Sequence, residues 1–364
     1  MKQQNTAVRI GEIDFWKFTF AILIVTLHSA YLPGAGEDTY FRGGSIGVEF
    51  FFVVSGFFMA KNAEKVDGYQ SLADETWRFL LKRVKTFFPY MCMSCFAALI
   101  AKTLFYHGGL LKLIKNGVAG LSEVLLLKAT GFGDTFFNNP TWYLSAMVCS
   151  MAVLYPLILK YRKIFTRIAC PLLAFFLLGY LQQTYGQFRN PDLWDGLFRK
   201  GTIRGFAEIA FGVVCYEICS WISTYDFTKL SKLLFTVAEY GSLLAIILYS
   251  NTKSCWDMDS PSVLLMGGAV VIAAGNLSLL SGFWNRFRLT AWMGRFSLML
   301  YLNHIYWVWI FAILGLDMEY SKMFWLYMGA AVISALLCWK FTDLIIFWYQ
   351  KNKPALKSMF IQTG

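Results

Sequence analysis

Of 364 residues, 57% are apolar and only 15% charged, with a mean hydropathy of +0.50. Soluble domains carry about 25% charged residues, so the composition excludes an ordinary soluble globular protein and indicates an all-α integral membrane protein. The net charge of +11 does not mark a nucleic-acid binder, because the cations gather in alternate loops between apolar runs, as the positive-inside rule requires.

The first apolar run, residues 14–33, has membrane-spanning length and contains two ionisable side chains, Lys17 and His28. Eleven steps of about 100° return to within about 20° of the starting azimuth, so both occupy one helix face, roughly 16 Å apart along the axis. Charge inside a bilayer is costly and usually functional. A snorkelling Lys and a His bonded to backbone form the plain structural alternative. Glu12 and Asp14 at the head of the run argue against a cleavable signal peptide.

Further runs predict spans near 45–60, 86–106, 141–160, 167–183, 203–222, 233–250, 261–281, 296–314 and 324–348, about ten in all. They form one transmembrane domain over 1–350, followed by a short basic tail over 351–364. Lys2, Arg9, the group from Lys61 to Lys85, Lys160, Arg162, Lys163, Arg167, Arg286, Arg288, Arg295, Lys351, Lys353 and Lys357 fall on one side. The opposite loops mix few cations with acids: Arg42 with Glu37 and Asp38, Lys253 with Asp257 and Asp259, Lys322 with Asp317 and Glu319. Both termini are therefore expected in the cytoplasm. Segment 107–140 on the outer side carries an amphipathic Leu-Leu-Lys-Leu-Ile-Lys stretch, expected to lie flat at the interface or to re-enter.

Of eight cysteines, Cys92, Cys95, Cys149, Cys170, Cys215, Cys219 and Cys338 fall in apolar runs and only Cys255 in an expected outer loop, which is no disulfide framework. His28, His107 and His304 lack metal-ligand spacing. Span 2 runs back inward, so Glu49 near its start lies at the depth of His28. This makes the two a candidate His–carboxylate dyad for taking a proton from a hydroxyl.

At these residues a family resemblance becomes visible. Lys17-x10-His28 resembles the R/K-x10-H signature of the acyltransferase family 3 membrane proteins. The stretch Gly47-Val48-Glu49-Phe50-Phe51-Phe52-Val53-Val54-Ser55-Gly56-Phe57 is similar to that family's G-[IV]-[DE]-x-F-F-V-x-S-G-[FY] motif. Lys82-Arg83-Val84-Lys85-Thr86-Phe87-Phe88-Pro89, Trp142-Tyr143-Leu144-Ser145 and the run from Phe296 through Tyr301 to His304 resemble later family elements, in family order. The resemblance implies a ten-helix enzyme taking an acyl group, commonly acetyl, from acyl-CoA as co-substrate. The acceptor would be a hydroxyl of a surface carbohydrate or lipid-linked glycan in a cell inner or plasma membrane. It casts His28 as base, Glu49 as its partner and Lys17 as a donor-site cation. Two positions depart from the pattern: Met147 stands where many members carry Glu, and Thr86 where Arg is frequent.

Arg83 and Lys85 are expected to meet the CoA phosphates, with positive-inside anchoring as the alternative. Arg204 and Glu208, four apart, can pair on one face of span 6, in either an acceptor-side or a structural role. His304 is a donor-channel candidate or a buried structural His. Trp142 and Tyr143 suit stacking on a sugar or membership of the aromatic belt. Ser55 and Ser145 are conceivable nucleophiles but commoner as packing residues. Two other functional classes stay open: a transporter of acyl donor or glycan, and a non-catalytic protein of the same fold.

Overall fold

The computed structural model describes residues 9–37, 39–133, 137–252 and 258–361, with 353–361 as backbone only. Lys2, Asp38, Lys253, Cys255 and Asp257, and the side chains of Lys353 and Lys357, lie outside the described residues. The helices are α1 (Gly11–His28), α2 (Gly47–Glu64), α3 (Leu72–Phe105), α4 (Leu110–Ala119), α5 (Leu121–Val124), α6 (Thr141–Ile164) and α7 (Cys170–Tyr185). They continue with α8 (Lys200–Ile222), α9 (Lys229–Tyr249), α10 (Asp259–Ala274), α11 (Ser281–Arg286), α12 (Leu289–Asn303), α13 (Tyr306–Leu314) and α14 (Tyr320–Ile361). A two-residue hairpin ladder pairs Trp194–Asp195 with Phe198–Arg199.

Three boundaries depart from the sequence expectation. α3 starts at Leu72, not near 86, because the Ser71 hydroxyl caps it by accepting from Asp74 N, with Asp74 and Glu75 in its first turn. α14 runs without a break past the expected end of the last span at 348, through the first part of the expected tail, to Ile361. The expected ninth span is broken between Asn303 and Tyr306, where α12 and α13 bend by 50°.

Among the described residues, seven helical stretches are long and apolar enough to cross a membrane, eight if the bent pair is one span. The stretch Thr141–Tyr185 counts once among them, yet it folds back on itself. Straight, it would reach roughly 65 Å, about twice a hydrocarbon core. Both its ends instead lie at the start of α8. A side chain on Gly201 would strike Trp142, and Lys200 Nζ lies 4.2 Å from the Tyr185 ring centre. The turn falls at Tyr161, whose φ of −121° leaves the helical region, and the wide turn Phe165–Ala169 that follows.

Other contacts fix which ends lie together. Arg162 meets Glu64 and Tyr90 meets Asp343 at the end of the bundle where α1 begins, the basic end. Gly43 N donates to Ser250 O, and Tyr320 Oη meets Ser29 Oγ, at the far end. α2 and α8 cross in direct backbone contact, since a Cβ on Gly56 would overlap Ile209 O and one on Gly212 would overlap Val53 O. Small residues of this kind let membrane helices approach closely. On the outside, α9 exposes Leu230, Leu234 and Leu248, and α14 exposes Trp325, Leu337 and Phe341. An apolar belt of this extent suits lipid, not water.

The amphipathic part of segment 107–140 is α4, on the surface of the bundle. α4 buries none of its residues, while Leu110 and Leu111 point outward. The chain beyond it is tied down by buried Glu123, which accepts from Phe137 N, Asn138 N and Thr141 Oγ1 at 2.6, 3.0 and 2.5 Å. This knot fixes the start of α6.

Candidate active site

Among the described residues, the α1 stripe reaches two cavities. The first, about 190 Å³, is on the basic-end side and is lined by Lys17, Ser55, Arg83, Tyr143, Ser297 and Tyr301 among others. The second, about 130 Å³, is on the far side and is lined by His28, Tyr31, Asn139, Trp142, Arg189 and Arg204, and again by Tyr301. Tyr301 is thus a wall common to both. Its hydroxyl donates to Pro140 O at 2.8 Å, and its ring lies about 6 Å from those of Tyr143 and Phe51.

On the basic-end side Lys17 Nζ lies 3.5 Å from Asp14 and 5.4 Å from the Phe58 ring centre. Arg83 stands opposite on α3, and its Nη2 is buried without a hydrogen-bond partner. A buried cationic donor left so is costly unless something occupies it. Lys85, expected beside Arg83, lies in a neighbouring cavity with Arg295 and Asp343. That cavity shares Thr86, Gly294 and Leu298 with the first, so Lys85 sits at its approach. Ser55 Oγ is 3.1 Å from Tyr143 Oη. Ser145 donates to Leu126 O and accepts from Ala129 N, which leaves it a structural tie instead of a nucleophile.

On the far side the expected His28–Glu49 contact is corrected. Glu49 Oε1 accepts from Arg204 Nη2 at 2.5 Å, and no hydrogen bond joins Glu49 to His28 among the described residues. α8 places Arg204 toward α2, and there a buried carboxylate takes the nearest cation. Arg204 also donates through Nε to Glu208 at 3.3 Å and through Nη1 to Phe188 O at 2.8 Å. Its guanidinium carries five N–H groups, so two remain for the cavity, where the Trp142 ring centre lies 5.1 Å away. Glu49 and Glu208 do not reach the cavity wall; they hold the residue that does.

His28 Nδ1 lies 2.8 Å from Ile24 O and 3.3 Å from His304 Nε2. His304, expected along a donor channel, lines neither cavity and stands behind His28. A carbonyl only accepts, so Nδ1 of His28 carries its proton and Nε2 is the free basic nitrogen. Trp142 and Tyr143, adjacent in sequence, face different cavities. Sequence reasoning missed Tyr301, Asn139, Arg189 and Arg295 as wall residues. Tyr301 carried a signal, since it lies three residues before His304 in the same motif-like run. Asn139 and Arg189 sit in irregular segments where no periodicity speaks.

Among known families, a model described as an acyltransferase domain matches residues 10–343. No curated protein and no solved structure matches the chain.

Proposed function

Because the chain belongs to the acyltransferase family 3 membrane proteins, we propose that it moves an acyl group, most often acetyl, from acyl-CoA to a hydroxyl of a glycan or lipid-linked sugar, through ten spans with both termini cytoplasmic. The observation that carries this reading is the pair of cavities sharing Tyr301, with Lys17 and Arg83 on one side and His28 on the other. The basic-end cavity receives the donor. Its cations, with Lys85 and Arg295 at the approach, suit phosphate groups, and Lys17 to His28 is about the reach of a pantetheine arm.

The acceptor hydroxyl lies in the far cavity against Nε2 of His28. As its oxygen attacks the thioester carbonyl, its proton passes to Nε2. The carbonyl oxygen becomes negative, and the two spare N–H groups of Arg204 supply a preorganised positive field. Collapse breaks the C–S bond, and the imidazolium returns the proton to the departing thiolate. Trp142, Asn139 and Asn190 on the same wall suit a hydroxylated ring by stacking and amide hydrogen bonds.

Membranes holding the protein, given radiolabelled acetyl-CoA, should gain label in the alkali-labile ester fraction of the envelope. His28→Ala, expressed equally, should lose it by 10²-fold or more. Full incorporation by His28→Ala overturns the mechanism, and movement of label across the membrane without ester formation would indicate a transporter.

A further inference from the structure

The far cavity assigns His28 the basic nitrogen, and the structure also shows what stands behind it. Three contacts run in series. Ile24 O and His304 Nε2 lie on the Nδ1 side of His28 at 2.8 and 3.3 Å, and Leu300 O lies 3.3 Å from His304 Nδ1. Each carbonyl can only accept, so each imidazole carries its proton on Nδ1. A neutral His304 then presents a bare Nε2 lone pair at 3.3 Å to the one Nδ1–H of His28, which it shares with Ile24 O at 2.8 Å. The two ring planes are 60° apart with centroids 4.7 Å apart, an edge approach that lets an N–H point at a nitrogen.

We infer that His304 is a positioning residue for His28, a second acceptor beside Ile24 O that shares its Nδ1–H and stabilises the imidazolium as it forms. The inference rests on the reading of His28 as base. It gives His304 the task that a carboxylate performs in Ser–His–Asp sites, here with a neutral acceptor. The site explains the substitution. His304 is fully buried at the bend between α12 and α13, on the Nδ1 side of His28. A carboxylate there would be charged and far from water, whereas a neutral imidazole anchored to Leu300 O provides the lone pair at a smaller burial cost. Glu49, the carboxylate of sequence interest, is held by Arg204.

Apart from Ile24 O, the other polar groups around His28 supply no second acceptor on this side. Arg189 from the α7–α8 connection and Arg204 from α8 line the cavity as cations, donors only. Tyr31 follows α1, with its ring centroid 5.9 Å from that of His28. Tyr301 from α12 spends its proton on Pro140 O. From α14, Tyr320 meets Ser29 and Tyr327 donates to Val25 O.

The test compares His304→Leu, of similar bulk without a lone pair, with His304→Gln, whose amide oxygen reaches about as far as Nε2. Both are measured against wild type and His28→Ala, as pH profiles of label transfer from acetyl-CoA to envelope esters. A hydrogen bond to a charged partner is worth roughly one to two pH units or tenfold factors. His304→Leu should therefore lose about tenfold or more in rate, with the acid limb moved down by about one unit. His304→Gln should keep the rate within a few-fold and the limb in place. A merely structural His304 would lower protein yield or thermal midpoint without moving the limb. His304→Leu with wild-type rate and limb, or Leu and Gln variants equally impaired with an unmoved limb, overturns the inference while leaving His28 as base. Should His304→Leu fail to fold, an impaired and folded Gln variant with an unmoved limb still overturns it. An active His28→Ala overturns both together.

Discussion

Arg204 is the side chain on which the far cavity depends most. It is fully buried, with Glu49, Glu208 and Phe188 O on its three nitrogens, and its fork geometry is what Lys lacks. Glu49→Ala leaves that guanidinium under-compensated in a dry interior and should cost about 3–5 kcal/mol, read as a large drop in thermal midpoint in detergent. Glu49→Gln retains an acceptor and should cost less, lowering transfer mainly by relaxing Arg204. Arg83 offers the complementary measurement: its unpartnered Nη2 predicts that Arg83→Ala raises the KM for acetyl-CoA by about tenfold or more with little change in stability. A KM that does not move would remove Arg83 from the donor site. At this scale the sequence was informative about residue type and depth but not about pairing. Lys17, His28, Arg204 and Glu208 are legible as costly side chains inside apolar runs. That Glu49 pairs with Arg204 and not His28 depends on how α2 is rotated against α8, and hydropathy carries no azimuth between helices.

Among the elements, the α2–α8 crossing and the Glu123 knot decide the site's shape. Gly56→Val would push a side chain into Ile209 O, overpacking a backbone contact at a cost of about 1–3 kcal/mol. The expected result is a lower thermal midpoint with reduced transfer, and an unchanged midpoint would show that the crossing tolerates separation. Glu123→Ala removes three hydrogen bonds to the start of α6. It should raise amide exchange over residues 121–141 while leaving α9 as protected as before. The helices themselves are well signalled by 20-residue apolar runs, and α4 by its amphipathic stretch. Glu123 is not: it lies in Leu-Ser-Glu-Val-Leu-Leu-Leu, and its partners are mostly backbone amides, which every sequence supplies equally. The start of α3 is missed for a related reason, since a Ser cap and an acidic first turn extend a helix beyond the part that hydropathy detects.

For the molecule as a whole, alternating helix direction places the charge-rich loops at one end and Arg42, Glu319 and Lys322 at the other. Reporter fusions after Asn352 and within 107–120 should therefore report opposite compartments, with the C-terminal one cytoplasmic. The reverse result would invert donor and acceptor sides. Composition and loop charge make this arrangement legible from the chain alone, because solvation by lipid leaves its mark on every span. The two cavities are not legible that way. They are gaps left where α1, α2, α3, α6, α8 and α12 fail to fill space, and a gap has no residue of its own.

The wall between those gaps has a further consequence for the cell. Tyr301 lines both cavities, and the rings of Tyr143 and Phe51 on the basic-end side lie about 6 Å from its own. A bilayer stores energy only while ions are kept from crossing it, so an enzyme that works through the membrane must also act as an electrical insulator. Opening the septum with Tyr301→Ala should make vesicles carrying the protein leak protons, seen as faster decay of an imposed pH gradient, whether or not any acyl donor is present. The aromatic ring at the boundary of the two cavities would then also help preserve the voltage of the membrane in which the substrates meet.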